Sequence, residues 1–128
     1  MRIWARQAIS DFPKFPLTAG PKEIKSEITA NLWRDNLSVG EIAIRQRVTP
    51  RYVQMLFEEE GTTFTEFVLE ARLHRVHRLL ADPRLADHSI STIAFDVGFG
   101  DLSYFNKTFR RRFGRTPSDV RAASARKA

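Results

Sequence analysis

The sequence has 128 residues, 42% of them hydrophobic, with a formal net charge of +6 and an isoelectric point near 10.3. This length suits one compact domain, or two small lobes that share one long element. The absence of cysteine excludes disulfides, thiolate catalysis and cysteine-ligated zinc. The basic surplus favours a polyanionic partner through counterion release, but charge alone does not say which polyanion.

The N-terminal stretch, residues 1–21, is predicted to be an extended tail or linker because it contains three prolines and no sustained periodicity. Its aromatic residues Trp4, Phe12 and Phe15 also fit a segment that packs on a preceding domain. The first ten residues lack the apolar core of a secretion signal, and the chain has no run of 18 apolar residues. A cytoplasmic protein without a membrane partner is therefore expected.

An amphipathic helix is predicted over residues 22–35, because apolar side chains recur there every four positions. These side chains are Ile24, Ile28 and Leu32. A capping box of Ser38 and Glu41 then begins a short second helix. A third helix begins at Thr49-Pro50, a hydroxyl N-cap followed by proline at the first helical position, and is expected to end at Gly61.

The helix-turn-helix of residues 38–61 is predicted to leave one polar face on its last helix. Val53, Leu56 and Phe57 form the inward stripe, so residues spaced at i, i+3, i+4 and i+7 project outward together. These outward residues are Arg51, Gln54, Met55 and Glu58. They form the first candidate reading surface.

A long connector helix is predicted over residues 63–81, between a capping box at Thr63 and the helix-terminating Asp82-Pro83. At 100° per residue, the apolar side chains near its start and those near its end lie about 150° apart. A helix of this kind must touch two cores, which predicts a rigid connector. Three arginines are left for solvent or phosphate: Arg72, Arg75 and Arg78.

Residues 89–114 repeat the pattern of residues 38–61, and internal repetition implies two similar surfaces. Ser89 begins the first helix of this repeat, Gly98 forms the turn, Asp101 caps the second helix and Gly114 ends it. In the register of the first repeat, the outward residues are Leu102, Ser103, Asn106, Lys107 and Arg110. A short last helix is expected after Thr116-Pro117, followed by a polar tail at residues 124–128.

A helix-turn-helix places its second helix in the DNA major groove, where arginine or lysine can bind guanine and glutamine or asparagine can bind adenine. The candidate base-reading residues are Arg51, Gln54, Met55, Leu102, Ser103, Asn106 and Lys107. The candidate phosphate contacts are Thr49, Arg110, Arg111, Arg115 and Thr116. The second reading helix carries four basic residues against one acidic residue and the first carries one against three, so the second is expected to supply most of the phosphate attraction.

One family pattern runs through the second repeat and continues to Thr116-Pro117, with further similarity in the third helix. Its residues are Ile93-Ala94, Gly98-Phe99, Ser103-Tyr104-Phe105, Lys107, Phe109, Gly114 and Thr116-Pro117, with further similarity at Thr49-Pro50-Arg51-Tyr52-Val53-Gln54 and Leu56-Phe57. On these motifs, residues 22–121 resemble the DNA-binding domain of the AraC/XylS transcriptional regulators. The resemblance implies an all-α fold of seven helices, with two homeodomain-like helix-turn-helix lobes joined by a long helix. It also implies a monomeric domain that reads two successive major grooves of double-stranded DNA, RNA polymerase as a further partner, and any sensing or dimerising domain outside these residues.

Three positions depart from the family pattern. Arg47 stands where the first turn usually has glycine, Met55 where many members have arginine, and Val120 where an aromatic residue is usual. The first departure implies either strain in a left-handed turn or a slightly rebuilt turn. The second implies the loss of one base or phosphate contact, and the third implies looser packing of the last helix.

Two other classes of function fit the sequence less well. A small helical enzyme would need converging catalytic groups, and Asp82, Asp87 and His88 lie close in sequence but in a loop without a pocket signature. A basic helical module that binds a membrane surface or a protein partner would need no base-reading side chains. His74 and His77 lie one turn apart and are interpreted as solvated or phosphate-facing rather than metal-bound. No catalytic residue, cofactor or metal site is predicted.

Overall fold

The computed structural model describes residues 19–127, and the regular structure of this part of the chain is helical throughout. Residues 19–127 contain seven α-helices: α1 (Pro21–Ala30), α2 (Val39–Gln46), α3 (Pro50–Glu59), α4 (Phe64–Leu80), α5 (Ile90–Val97), α6 (Leu102–Phe113) and α7 (Pro117–Lys127). The predicted all-α fold is confirmed, with helix-turn-helix pairs α2–α3 and α5–α6 on either side of the long α4 in the chain. Residues 1–18 of the predicted tail, with Trp4, Phe12 and Phe15, lie outside the described residues.

The chain divides into two compact units, and α4 contributes to both. Within the described residues, the first unit contains residues 19–31 and 36–68, and the second contains residues 32–35 and 69–127. The apolar faces of α4 follow this division as predicted. Val68 is buried near the start of the helix, and Leu73, Val76 and Leu80 are buried toward its end.

The first unit is built from α1, α2, α3 and the first turn of α4. Its buried side chains include Ile24, Ile28, Ile42, Ala43, Val53, Leu56 and Phe57. Phe57 packs edge-on against Phe64, with ring centroids 6.2 Å apart, and lies 5.3 Å from the ring of Phe67. These contacts hold the first turn of α4 against the back of α3, so that the opposite face of α3 remains exposed.

The second unit is built around a row of phenylalanines. The ring centroids of Phe99 and Phe105 lie 4.9 Å apart, those of Phe105 and Phe109 5.6 Å, and those of Phe109 and Phe113 4.7 Å. Buried residues of α4, α5 and α7 complete this core, Val120 among them. The valine that replaces the usual aromatic residue is therefore still a core residue.

The helix α1 ends at Ala30, five residues earlier than its periodicity predicted. Asn31 ends it by donating its side-chain amide to the Glu27 carbonyl at 2.8 Å, a local bond that competes with the helical backbone pattern. Leu32 is buried as predicted, but it lies in the second unit rather than on this helix. Apolar spacing alone cannot distinguish one more helical turn from a buried residue just beyond the helix end.

Two further differences concern the ends of helices. The proline assigned to the tail, Pro21, is the first residue of α1, where its missing N–H leaves no partner unsatisfied. The last helix continues to Lys127, so residues 124–127 belong to α7 rather than to a polar tail. None of the helices between residues 19 and 127 combines the length and the apolar character needed to span a bilayer.

Candidate nucleic-acid interface

The first candidate reading surface is the exposed face of α3. Thr49 caps this helix, its Oγ1 accepting a hydrogen bond from the Tyr52 N–H at 3.1 Å. The buried side of the helix consists of Tyr52, Val53, Leu56 and Phe57. On the other side Arg51, Gln54 and Glu58 are exposed as predicted, while Met55 is only partly exposed. A thymine methyl group can therefore reach part of the Met55 side chain.

A weak ion pair links two residues of this surface. Arg51 Nη1 lies 3.8 Å from Glu58 Oε2, and the two side chains are 63% and 59% exposed. Exposed pairs of this kind contribute at most about 1 kcal/mol, so a guanine base can compete for Arg51. One neighbouring acid is already neutralised, since Lys25 Nζ lies 2.6 Å from Glu60 Oε1.

The turn before each reading helix has the same backbone hydrogen bonds. The Val48 N–H donates to the Ala43 carbonyl at 3.0 Å, and the Phe99 N–H donates to the Ala94 carbonyl at 3.0 Å. In each turn, the residue just before the N–H donor has a positive φ: Arg47 at 59° in the first turn and Gly98 at 123° in the second. The left-handed backbone expected at Arg47 is thus observed, and both reading helices begin from a rigidly bonded turn.

The second candidate reading surface is the exposed face of α6. Asp101 caps this helix, its Oδ1 accepting a hydrogen bond from the Tyr104 N–H at 3.1 Å. Phe105, Thr108 and Phe109 are buried as predicted. Four residues of the opposite face are exposed: Ser103, Asn106, Lys107 and Arg110. Leu102 differs from them because it packs partly against the second core, which leaves only part of its side chain for DNA.

Tyr104 is an exposed residue of α6 that the sequence analysis did not assign to the interface. Its side chain is 48% exposed, whereas its partner in the repeat, Tyr52, is 6% exposed. Burial raises the pKa of Tyr52, with smaller contributions from Glu59 and Glu23. The spacing of Tyr104 to Lys107 and Arg111 would have placed it beside the reading surface, because residues three and seven apart share a helix face.

Four of the five candidate phosphate contacts lie in the C-terminal half of α6 and at the start of α7, and the fifth, Thr49, caps α3. Arg110 and Arg111 are exposed. Arg115 is also exposed, and its Nη2 donates to the Asp119 carbonyl at 3.3 Å. Thr49 Oγ1 accepts one helix N–H, as described, and its hydroxyl proton can still be donated to a phosphate.

Thr116 already has a carboxylate beside it. The Asp119 N–H donates to Thr116 Oγ1 at 3.1 Å, and the Thr116 N–H donates to Asp119 Oδ2 at 3.3 Å. The pKa of Asp119 is lowered by hydrogen bonds from Thr116, first from its side chain and then from its backbone. A DNA phosphate at the N-terminus of α7 would have to share this site with the Asp119 charge.

Arg112 is directed to α4 and not to the reading surface. Its Nε lies 2.8 Å and 3.0 Å from the two carboxylate oxygens of Glu70, and its guanidinium stands 5.1 Å from the Phe113 ring centroid. Three of the four basic residues counted on α6 from the sequence are therefore available for phosphate. They are Lys107, Arg110 and Arg111.

The interpretation of the α4 histidines as solvated or phosphate-facing is wrong for His77. The His77 ring stacks on Phe109 and lies 4.6 Å from the Phe113 centroid, which makes it an edge of the second core. His74 is exposed, but its Nε2 lies 2.8 Å from Glu70 Oε2. Among the described residues, no three His, Cys, Asp or Glu side chains are grouped as metal ligands would be.

Comparison with known proteins gives a family match over most of this structure. A family model described as a helix-turn-helix domain matches residues 42–123. The transcriptional activator RhrA of Rhizobium meliloti (strain 1021) is 46% identical over 102 residues, which are 80% of this chain and 32% of that protein. The XylDLEGF operon transcriptional activator of Pseudomonas putida is 37% identical over 94 residues, 73% of this chain and 29% of that protein. The chain thus spans less than a third of the length of either activator.

Two solved structures show the same fold. A transcriptional regulator from Chromobacterium violaceum, described as an AraC-type DNA-binding domain protein, superposes with a TM-score of 0.73 at 32% identity. The match covers 84% of this chain and 93% of that one. A dual regulator from Escherichia coli K-12 also has a TM-score of 0.73, covering 88% and 99%, but at 23% identity it bears on the fold alone.

Proposed function

The chain belongs to the AraC/XylS family of transcriptional regulators. On that premise we propose that α3 and α6 read two successive major grooves of one DNA site. Sequence-specific binding of double-stranded DNA in transcription regulation is the function of this domain.

The observation that carries the proposal is the equivalence of two exposed helix faces. Each reading helix begins at a capped turn, with Thr49 or Asp101 as the N-cap, and each exposes one carboxamide, Gln54 or Asn106. A carboxamide can pair bidentately with adenine N6 and N7, a contact that distinguishes base pairs in the major groove. Because the two faces otherwise carry different residues, they suit a site with two unlike halves.

The side chains divide into base readers and phosphate contacts. In one half of the site Arg51 donates to guanine, Gln54 pairs with adenine and Met55 touches a thymine methyl group. In the other half Ser103, Asn106 and Lys107 bind base edges beside Leu102. The phosphate contacts are made by Thr49, Arg110, Arg111, Arg115 and Thr116.

The domain is proposed to act in the cytoplasm as a monomer without catalytic activity, and RNA polymerase is proposed as its second macromolecular partner. The regulatory names of the relatives support a role in transcription. Any dimerising or sensing function is assigned to a separate domain.

Selection from a random pool of duplexes tests the proposal. We expect one bipartite, non-palindromic element, whose two contacted blocks lie about 10 base pairs apart on one face of the duplex. Binding measured by gel shift at two salt concentrations separates this specific component from general attraction to DNA. Enrichment of a palindrome, or of no sequence at all, would contradict the two-groove arrangement.

A further inference from the structure

The segment Leu32–Asp35 belongs to the second unit, although the residues before and after it belong to the first. The chain therefore passes into the second unit after Asn31, returns at Asn36, and passes into it again inside α4. The two units are thus connected by this strap as well as by the long helix. We refer to Leu32–Asp35 as the strap.

Arg72 of α4 binds the strap through two backbone carbonyls. Its Nε donates to the Leu32 carbonyl at 3.0 Å, and its Nη2 donates to the Arg34 carbonyl at 2.7 Å. The planar guanidinium holds these two donors in a fixed geometry, so the bonds position the strap as well as bind it. Arg72 is thus not left for solvent or phosphate, as its place on the helix had suggested.

Gly98, in the second helix-turn-helix, lies close to both the strap and Arg72. A Cβ atom at this position would lie 2.1 Å from the Leu32 carbonyl oxygen and 2.7 Å from Arg72 Nε. The backbone of the turn, the strap carbonyl and the guanidinium therefore meet at one point that only glycine can occupy. The turn that begins the second reading helix and the strap are positioned by the same contact.

This contact is partly removed from water. The Leu32 side chain is 1% exposed. Burial lowers the pKa of Arg72, and the charge of Asp35 partly offsets this effect. The guanidinium satisfies two partly buried carbonyls, so removing it takes away the donor that each of them has in Arg72.

We propose that Arg72 is a positioning residue that holds the strap on the second unit. The strap then acts as a second tether between the two reading units, and this tether restricts the half-site spacing that the domain accepts. The proposal rests on the two-groove function proposed above. A linked pair of binding units gains affinity only at spacings that its link can span, and a tighter link narrows that range. A domain with a loosened strap should bind less selectively with respect to spacing.

The test uses the bipartite duplex selected with the wild-type protein and versions of it lengthened between the halves by about one, two or five base pairs. Arg72→Met keeps the aliphatic stem and removes both donors. Arg126→Met is the matched control, because it removes the same charge from an exposed position of the second unit. Arg72→Lys retains the charge but only one donor nitrogen, and it tests the proposal if Arg72→Met does not fold, as judged by circular dichroism.

The wild type should bind the selected duplex more tightly than the lengthened ones, and we expect Arg72→Met to reduce this ratio of affinities about tenfold. The reason is that a loosened second unit can reach its half-site at more spacings, so its effective concentration at any one spacing is lower. Affinity for a duplex with a single half-site should not change, and Arg126→Met should keep the wild-type ratio. Arg72→Lys should fall between the wild type and Arg72→Met. A uniform loss at every spacing, or an unchanged ratio, would overturn the role of Arg72. Selection of no bipartite site by the wild type would instead refute the two-groove function itself.

Discussion

Arg47 and Gly98 occupy equivalent positions in the two turns but tolerate different side chains. Arg47 holds the left-handed conformation, with φ 59° and ψ 42°, and its side chain is exposed. Gly98 has φ 123° and faces the Leu32 carbonyl oxygen directly. A side chain in the first turn therefore costs mainly backbone strain, whereas one in the second would also collide with the strap.

Arg47→Gly is expected to raise the free energy of unfolding by about 0.5–1 kcal/mol, since glycine adopts positive φ without steric cost and this gain exceeds its larger entropy in the unfolded chain. Urea denaturation measures the change as a higher midpoint at constant slope. Gly98→Ala is the contrasting control and should lower the midpoint strongly. A clear loss of stability in Arg47→Gly would show that contacts of the arginine outweigh its backbone strain.

Base and phosphate contacts can be separated by single substitutions on the two reading helices. Gln54→Ala should cost about 1–3 kcal/mol on the selected duplex, relax preference at one base pair in one half only, and leave the salt dependence unchanged. The physical reason is that a bidentate contact to a base discriminates between sequences without neutralising charge. Titrations of selected and scrambled duplexes measure both effects. Equal weakening on the two duplexes would remove Gln54 from the base-reading set.

Arg110→Ala or Arg111→Ala should instead weaken binding to all sequences alike and reduce the slope of log affinity against log salt by about one, because one phosphate contact is lost. Arg112→Ala is the matched control on the same helix, since its guanidinium is bound to Glu70. It should leave the salt slope near the wild-type value. An unchanged slope in both Arg110→Ala and Arg111→Ala would show that α6 does not supply the phosphate attraction.

At the scale of helices, α4 and α6 meet through a cluster of charged and aromatic groups. Glu70 and His74 of α4 contact Arg112 of α6, and His77 lies on the rings of Phe109 and Phe113. The pKa of Glu70 is lowered: burial alone would raise it, but hydrogen bonds from Arg112 and His74 outweigh that effect. The pKa of His77 is lowered, first by burial and then by the charges of His74, Arg115 and Arg112.

These shifts predict that the second unit is less stable at acidic pH. A histidine whose pKa is lower in the folded state binds fewer protons there than when unfolded, so stability falls as pH drops below the unfolded value of about 6.5. A carboxylate whose pKa is lowered acts in the same direction, because its contribution is lost as pH falls through the folded pKa. The effects of His77 and Glu70 on stability therefore add, and the loss due to His77 begins at the higher pH.

His77→Phe should reduce the loss of stability between about pH 7 and pH 5, because phenylalanine keeps the aromatic contacts and cannot be protonated. The measurement is the urea midpoint as a function of pH. His88→Gln is the control, since His88 is exposed on the loop before α5. If His77→Phe kept the full wild-type pH dependence, another group would have to account for it.

At the scale of the whole molecule, the two reading helices belong to units joined by α4 and by the strap. Insertion of about five base pairs between the halves of the selected site should abolish tight binding, because it turns the second half to the opposite face of the duplex. Gel shifts with the parent and lengthened duplexes measure this. Unchanged affinity would mean that the units bind independently, or that only one of them is used.

The local features of the molecule could be predicted from its sequence. The caps at Thr49 and Asp101, the apolar periodicity and the glycines marked the helices, and the same periodicity placed Gln54 and Asn106 on exposed faces. These features depend on residues within about one helical turn of each other, so the chain itself displays them. The internal repeat extended the inference from one reading surface to two.

The tertiary structure alone decided which charged side chains are available to DNA. By residue type alone, Arg72 and Arg112 could both bind phosphate. In the folded chain Arg72 binds backbone carbonyls about 40 residues away in sequence, and Arg112 binds Glu70, 42 residues away. Tyr52 and Tyr104 occupy matching positions in the repeat, yet only Tyr104 is exposed. Periodicity describes a single helix and cannot report such partners, because contacts between elements distant in sequence form only when the chain has folded.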